Sequence, residues 1–354
     1  MRIRFLTATP MDVRRGSGTY VGIHVLARAL TALGHTVEFE TPHRRFPVYT
    51  VERLLFNYSL RPSADFDLTV GFDMDGYRIA GRERAHAASL KGVIADEVRF
   101  ETGMTKLTMS LQARCEEQHV QRAGLVLATS RYSAGRAREF YGLAAAPAIV
   151  PELIDLEEWR RLLQLHPAAS TSRFRVLFVG RFYRRKRVDV LLRAAAQLNA
   201  RIPELEVRIV GNGPCREALH HLARELRLEK AVTWLGDVSR ADLVAEYNSC
   251  GAFCMPSVQE GFGIVLLEAM AAGKAIVASR AAAIPEVAPH AILVEPESAE
   301  ALAAGIETLY RSPEVRAQAA SAGMARVANF DAPRVARSFL EAVSCLRPAG
   351  TTCP

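Results

Sequence analysis

No run of about 18 apolar residues occurs in the 354-residue chain, so no membrane-spanning helix is expected. The amino terminus, MRIRFLTATP, leads straight into a strand pattern and lacks the apolar core and cleavage site of a secretory leader. A cytoplasmic protein is expected. Cysteine is sparse: six residues, none in paired metal-ligand spacing. Cys250 and Cys254 flank or enter an apolar strand pattern and read as small hydrophobes of a reducing compartment. Short-period repeats, low-complexity tracts and long blocks of one charge are also missing. The last absence weighs against nucleic acid as a partner. The net charge of +7 and pI near 9.2 instead favour smaller anionic ligands, phosphates above all, or contact with an anionic membrane surface.

What is present is ordinary globular material: 49% hydrophobic and 23% charged residues, enough for two cores in a chain of this length. Strand and helix patterns alternate, which predicts parallel sheets covered by helices. RIRFLTAT, HTVEFET, DLTVG, KGVIA and LVLATS read as strands of a first half. Its helices are YVGIHVLARALTAL, closed by Gly34, and a long segment from about Met104 to Arg122. The polar stretch HPAASTSR (166–173) reads as a linker. FRVLFVG, LEVRIVG, AVTWLG, AFCMP and KAIVAS then supply the strands of a second half. The expectation is two Rossmann-like, doubly wound α/β domains, 1–165 and 166–330, facing across a cleft, with a C-terminal helix near 332–346 packing back on the first.

Three strand-to-helix loops of the second half carry unusual residues. VGRFYRRKR places Arg181 and Lys186 just past a strand, a cation pair suited to a diphosphate. VGNGP brings Gly211 and Asn212 to the next strand end, where backbone can approach a ligand. In SVQEGFGIVLLEAM, Gly261 and Gly263 precede a helix whose first N–H groups suit a phosphate. Glu268 sits roughly one turn into that helix among apolar neighbours. A buried carboxylate needs a partner, and ribose hydroxyls are one candidate. Glu260, in the loop, suits the hydroxyls of a sugar.

VGRFYRRKRVDVLLRAAAQL, RIVGNGP, VTWLGDVS, MPSVQEGFGIVLLEAMAAGKAIVAS and IPEV occur in this order. Together they resemble the donor-binding domain of the retaining nucleotide-sugar glycosyltransferases of the two-Rossmann (GT-B), family 4-like type. The resemblance is close over about Phe174–Leu309 and looser through GSGTYVGIHVLARALTALGHTVEF and VLATSRYSA. It implies a hexose transferred with retention from a UDP- or GDP-linked donor, without cofactor or metal, to an acceptor that is a glycan, a lipid-linked group or a small molecule. It implies that Arg181 and Lys186 hold the diphosphate, Glu260 lies near the transferred sugar, and Glu268 binds the nucleotide ribose. Backbone contacts would come from Gly261, Phe262, Gly263 and Ile264, and from Gly16 and Gly18 of the first domain, with the base near Trp234–Asp237. Relatives often carry a histidine at a strand end of the first domain. Here GVIADEVRFE offers Asp96 in that neighbourhood, expected as a catalytic contact, and GFDMDGYR offers Asp73 and Asp75 for the acceptor. DMD is not expected to bind a metal.

The rival of a dinucleotide oxidoreductase fits poorly. Its fingerprint turns directly from strand into Gly-x-Gly-x-x-Gly, whereas counting from Gly16 and Gly18 the third position is Val21 and Gly22 falls one residue late. A phosphorylase or epimerase on the same fold, or a non-catalytic sugar- or nucleotide-binding protein, remain as alternatives.

Overall fold

A computed structural model describes residues 1–9, 18–44, 46–168 and 171–346. The chain divides into two compact units, Met1–Met11 with Thr19–Leu153 and Ala332–Pro354, and Asp12–Gly18 with Ile154–Asp331.

The first unit is built on β1 (Arg2–Leu6), α1 (Gly18–Ala32), β2 (Thr36–Glu40), α2 (Tyr49–Ser59), β3 (Leu68–Phe72) and β4 (His86–Leu90). It continues with α3 (Ile94–Val98), α4 (Gly103–Arg122), β5 (Leu125–Ala128), α5 (Arg131–Tyr141) and β6 (Ala148–Ile149). The strands form one parallel sheet in the order β2-β1-β3-β4-β5-β6. Connections run one way from β1 to β2 and the other way from β3 onward, so the switch point lies between β1 and β3. Phe5 and Phe72 meet edge to face, 5.0 Å between centroids, and the chain's last helix, Ala332–Val343, lays Phe339 against Phe5.

The second unit follows: α6 (Leu156–Leu165), β7 (Phe174–Val179), α7 (Val188–Asn199), β8 (Leu205–Val210), α8 (Arg216–Glu225), β9 (Val232–Gly236), α9 (Arg240–Ser249) and β10 (Ala252–Met255). It ends with α10 (Ile264–Ala271), β11 (Ala275–Ser279), α11 (Ile284–Val287), β12 (Ile292–Val294), α12 (Ala299–Arg311) and α13 (Pro313–Val327). Its sheet order is β12-β11-β10-β7-β8-β9. Renumbered within the unit this is 3-2-1-4-5-6 read from β9, the doubly wound order of dinucleotide folds, with the switch point between β7 and β10. Most strand positions are apolar because helices cover both faces of the sheet. Val176, Phe178, Val207 and Ile209 are all buried with Leu191, Leu198, Leu302 and Leu309.

Two expectations change. KGVIA is not a strand. The fourth strand is the preceding His86–Leu90, whose Ala and Ser residues carry little strand signal although all five are buried, and Ile94 opens a short helix instead. The crossing between units lies at Leu153–Ile154, so α6, assigned to the first domain by a boundary at 165, belongs to the second unit. There Trp159 packs edge to face on Tyr247, and Asn248 donates to the carbonyls of Leu163 and His166.

Candidate functional site

Both loops at the second unit's switch point carry the residues singled out from the sequence, and the fold ties them together. After β7, Gly180 and Arg181 lead into a short 3-10 turn, Arg184–Lys186. After β10, residues 256–263 lead into α10. Val258 N–H donates to the Arg185 carbonyl at 2.9 Å, and the Lys186 ammonium pairs with Glu260 Oε1. Ser257 Oγ donates to the same oxygen at 3.1 Å. Glu260 is 7% exposed, so its charge is held by a lysine and a hydroxyl in a largely desolvated loop. Arg181 is half-buried at the head of the first loop.

Gly263 caps α10 with φ +87°, a left-handed conformation that disfavours other residues, and a Cβ there would come within 2.8 Å of Met255 Cε. The chain therefore turns sharply into the helix and presents the first amides of Ile264 and its neighbours at the strand end. Gly261 is buried, and Phe262, 4% exposed, faces inward against Phe330, so both serve the loop through backbone. The glycine at 211 has a structural reason of its own. Its φ is +121°, and a Cβ would lie 2.1 Å from the Gly180 carbonyl oxygen, so close approach is demanded by the neighbouring loop. Asn212 accepts from Gly213 N–H through its own Oδ1, and its carbonyl accepts from Phe182 N–H. Trp234 is packed between Phe182 and a stacked His220, ring centroids 5.9 and 4.1 Å away.

Glu268 is 5% exposed, and its partners are internal. Tyr247 Oη donates to Oε2 at 2.9 Å, and Arg240 Nη1 stands 3.6 Å from Oε1, longer than a hydrogen bond. Arg240 in turn lies over the Trp159 ring, 4.8 Å from its centroid. Burial pushes the Glu268 carboxyl up, while Arg240 and the Tyr247 hydroxyl pull against it; burial and the same carboxylate push the Tyr247 hydroxyl well up. Sequence reasoning missed both Tyr247 and Arg240, which lie on α9, about 20 and 28 residues from Glu268 in a chain where only the fold brings them close.

In the first unit the three acids separate sharply. Asp96 is fully buried in α3. Arg136 Nε and Nη2 and Arg99 Nη1 donate to Oδ1 at 3.0, 2.8 and 3.2 Å, and Tyr132 Oη donates to Oδ2 at 2.6 Å. Both oxygens are consumed, and Asp96 is a brace between α3 and α5, not a strand-end contact. Asp75 is likewise fully buried. Arg53 Nε and Nη2, Asn57 Nδ2 and Ala8 N–H, at 3.1, 3.0, 3.1 and 2.8 Å, occupy its oxygens, which leaves it no capacity for an acceptor. Asp73 differs. It follows β3 with φ +53°, half-buried, and of its two carboxyl oxygens only Oδ1 accepts a hydrogen bond among the described residues, from Lys91 N–H at 2.8 Å. Burial pushes its carboxyl up to about 6, against the pull of Arg53 and the Lys91 amide, with Asp75 and Glu97 adding to the rise. The residue that follows β4 is Lys91, which the sequence did not single out. Its ammonium pairs with Glu152 at 3.1 Å, both side chains about 6% exposed. Gly16 lies outside the described residues, and Gly18 is the first residue of α1. Among the described residues no group of three or more His, Cys, Asp or Glu side chains could hold a metal ion.

Two units of this topology define the GT-B architecture. Sucrose-phosphate synthase from Thermosynechococcus elongatus superposes with a TM-score of 0.77 at 20% identity, over 96% of this chain and 98% of that one. Residues 166–326 match the family Glycosyl transferases group 1. The chain is 29% identical to phosphatidyl-myo-inositol mannosyltransferase of Mycolicibacterium smegmatis, covering 99% of this chain and 95% of the relative. A D-inositol 3-phosphate glycosyltransferase of Pseudarthrobacter chlorophenolicus is 34% identical over 48% of this chain, a match spanning 42% of the relative's length. Residues 166–326 thus carry a glycosyltransferase group 1 domain, and over its whole length the chain is similar to glycosyltransferases of GT-B architecture.

Proposed function

We propose that the protein transfers a hexose, with retention of anomeric configuration and without a metal, from a UDP- or GDP-linked donor to an acceptor at a lipid surface. The observation that carries the donor half is the joining of the two switch-point loops through Lys186 and Glu260 beside the N-terminus of α10. Breaking the bond between the anomeric carbon and the diphosphate oxygen leaves negative charge on the diphosphate. Arg181, Lys186 and the α10 amides are fixed donors for that charge and need no reorganisation as it develops. Glu260 is engaged by Lys186 and Ser257, which makes it a weak nucleophile and suits it to hold sugar hydroxyls. Retention then comes from attack on the face the diphosphate leaves, with a diphosphate oxygen taking the acceptor proton. Glu268 is read as the ribose contact, its Oε1 held off at 3.6 Å from Arg240. Asp73 is read as the acceptor-side acid.

The acceptor half rests on α2 and α4, which lie side by side, Gln112 bridging Thr50 and Arg53. Nine of the thirteen large apolar side chains exposed among the described residues fall in two segments, 46–58 and 104–111, so the exposure is concentrated and not scattered. Every exposed charged side chain described within 43–61 and 103–114 is a cation: Arg44, Arg61, Lys106 and Arg114. An apolar face edged only by cations suits an anionic bilayer surface, and the mannosyltransferase relative is named for a phosphatidylinositol acceptor.

Incubating the protein with UDP-glucose or GDP-mannose should release nucleoside diphosphate, and Lys186→Ala should slow that release by at least ~2 kcal/mol of barrier. A Lys186→Ala variant that turns over normally overturns the donor site. Release of sugar phosphate or of an epimerised nucleotide sugar would favour the phosphorylase or epimerase alternatives. Sedimentation with anionic vesicles at low and high salt tests the membrane face; no binding at low salt removes it.

A further inference from the structure

Beneath Asp73 runs a chain of buried polar groups that the proposed chemistry leaves unused. Arg4 Nη1 donates to Glu83 Oε1 at 3.0 Å, and Glu83 Oε2 faces His86 Nδ1 at 3.3 Å. His86 Nε2 meets His119 Nε2 at 2.8 Å, and His119 Nδ1 lies 2.5 Å from the carbonyl oxygen of Asp73. Both imidazoles are shut away from solvent, 2% and 0% exposed. The loop is wrapped on them: a Cβ at Gly71 would fall 2.6 Å from His119 Cε1, and one at Gly76 would fall 3.1 Å from His86 Cε1.

The protons are placed by the acceptors at the two ends. A carbonyl oxygen can only accept, so His119 Nδ1 carries a hydrogen. Burial, with the charges of His86 and Arg53, pulls His119 down to about 3 against the hydrogen bond to Asp73. His119 is therefore neutral, its Nε2 is bare, and it accepts from His86 Nε2–H. Burial raises the Glu83 carboxyl, but hydrogen bonds from His86 and Thr69 and the charges of His86 and Arg4 outweigh it and leave it below its ordinary value. An ionised Glu83 demands a hydrogen on His86 Nδ1 as well. The chain thus runs carboxylate, imidazolium, neutral imidazole, carbonyl. The other charged groups packed against it are Arg53 with its partner Asp75, and Glu40, which shares Arg4.

At the end of this chain Asp73 holds φ +53°, which costs a non-glycine residue and persists only where neighbours enforce it. Its N–H donates to the Ser89 carbonyl at 3.0 Å, its Oδ1 accepts from Lys91 N–H, and its carbonyl accepts from His119. We propose that His119, polarised by the Glu83–His86 pair, is a positioning residue whose Nδ1–H holds the Asp73 backbone in the left-handed conformation that presents its carboxyl at the end of β3. This rests on reading Asp73 as the acceptor-side acid.

Two measurements on the full chain test it. The first is ¹⁵N NMR of the histidine rings, which needs no turnover: the His119 ring should be neutral with its hydrogen on Nδ1. A neutral His119 with its hydrogen on Nε2 overturns the proposal. The second is diphosphate release from UDP-glucose and GDP-mannose, with water as acceptor, followed across about pH 5 to 9. His119→Leu should lower turnover roughly tenfold and displace the acid limb while leaving the donor KM unchanged, and His119→Asn, which keeps a side-chain N–H, should restore most of it. If His119→Leu does not fold, Glu83→Gln replaces it: removing the carboxylate that faces His86 Nδ1 should loosen the relay and displace the same limb. A folded variant of either kind with the native limb and turnover overturns the relay. Asp73→Asn separates the layers. If Asp73→Asn keeps the native limb, the reading of Asp73 fails and the relay with it; if it removes the limb while His119→Leu leaves it, the relay alone fails.

Discussion

Replacing Asp73 by Asn should make the protein more stable at neutral pH while impairing transfer. The side chain keeps its size, its acceptor for Lys91 N–H and the tolerance of Asn for a left-handed backbone, and loses only the charge. Burial lifts the carboxyl from 3.8 to about 6, so the folded state holds a proton over that interval that the unfolded chain has released. Folded-state binding exceeding unfolded-state binding means that stability falls as pH rises through the interval. The full shift of about two units would correspond to ~3 kcal/mol, and partial exposure of the side chain reduces this to about 1–2 kcal/mol. Guanidinium unfolding of both chains should show nearly equal stability at about pH 4 and a gap favouring Asp73→Asn that opens toward pH 6 and then stays level. A gap independent of pH, or a variant less stable at neutral pH, would refute the reasoning.

Lys186→Ala should also cost ~3 kcal/mol of stability, because it strands a buried Glu260; pairing it with Glu260→Gln should recover stability, read by thermal unfolding, and not turnover. Asp96→Ala should destabilise the protein by about 1–3 kcal/mol, because it removes the buried acceptor shared by Arg136, Arg99 and Tyr132, with turnover per folded molecule unchanged in a donor-hydrolysis assay. Tyr247→Phe removes the hydroxyl that orders the Glu268 carboxylate and should cost about 1–3 kcal/mol, with weaker UDP or GDP binding by calorimetry.

The second unit was readable in sequence because parallel strands covered on both faces leave apolar runs, AFCM and AIVA among them, and because the loops between carry glycine where the backbone must turn. The first unit was harder. His86–Leu90 is buried by small residues, so its neighbour KGVIA looked more like a strand, and that displacement moved Asp96 to a strand end it does not occupy. The fate of each charged group depended on a partner distant in sequence: Asp75 on Arg53, 22 residues away, Asp96 on Arg136, 40 away, and Lys91 on Glu152, 61 away. Ion pairs of that span leave no periodicity to read. The same holds for Tyr247 and Arg240, which answer to Glu268 only once α9 packs beside α10.

The central claim is that Glu268 grips a ribose. Calorimetry of UDP and GDP against their 2′,3′-dideoxy forms, with the native chain and Glu268→Ala, tests it directly. The native chain should bind the complete nucleotides about tenfold or more tightly than the dideoxy forms, and the variant should bind the two alike. Equal discrimination by both chains would place the ribose elsewhere and contradict the account.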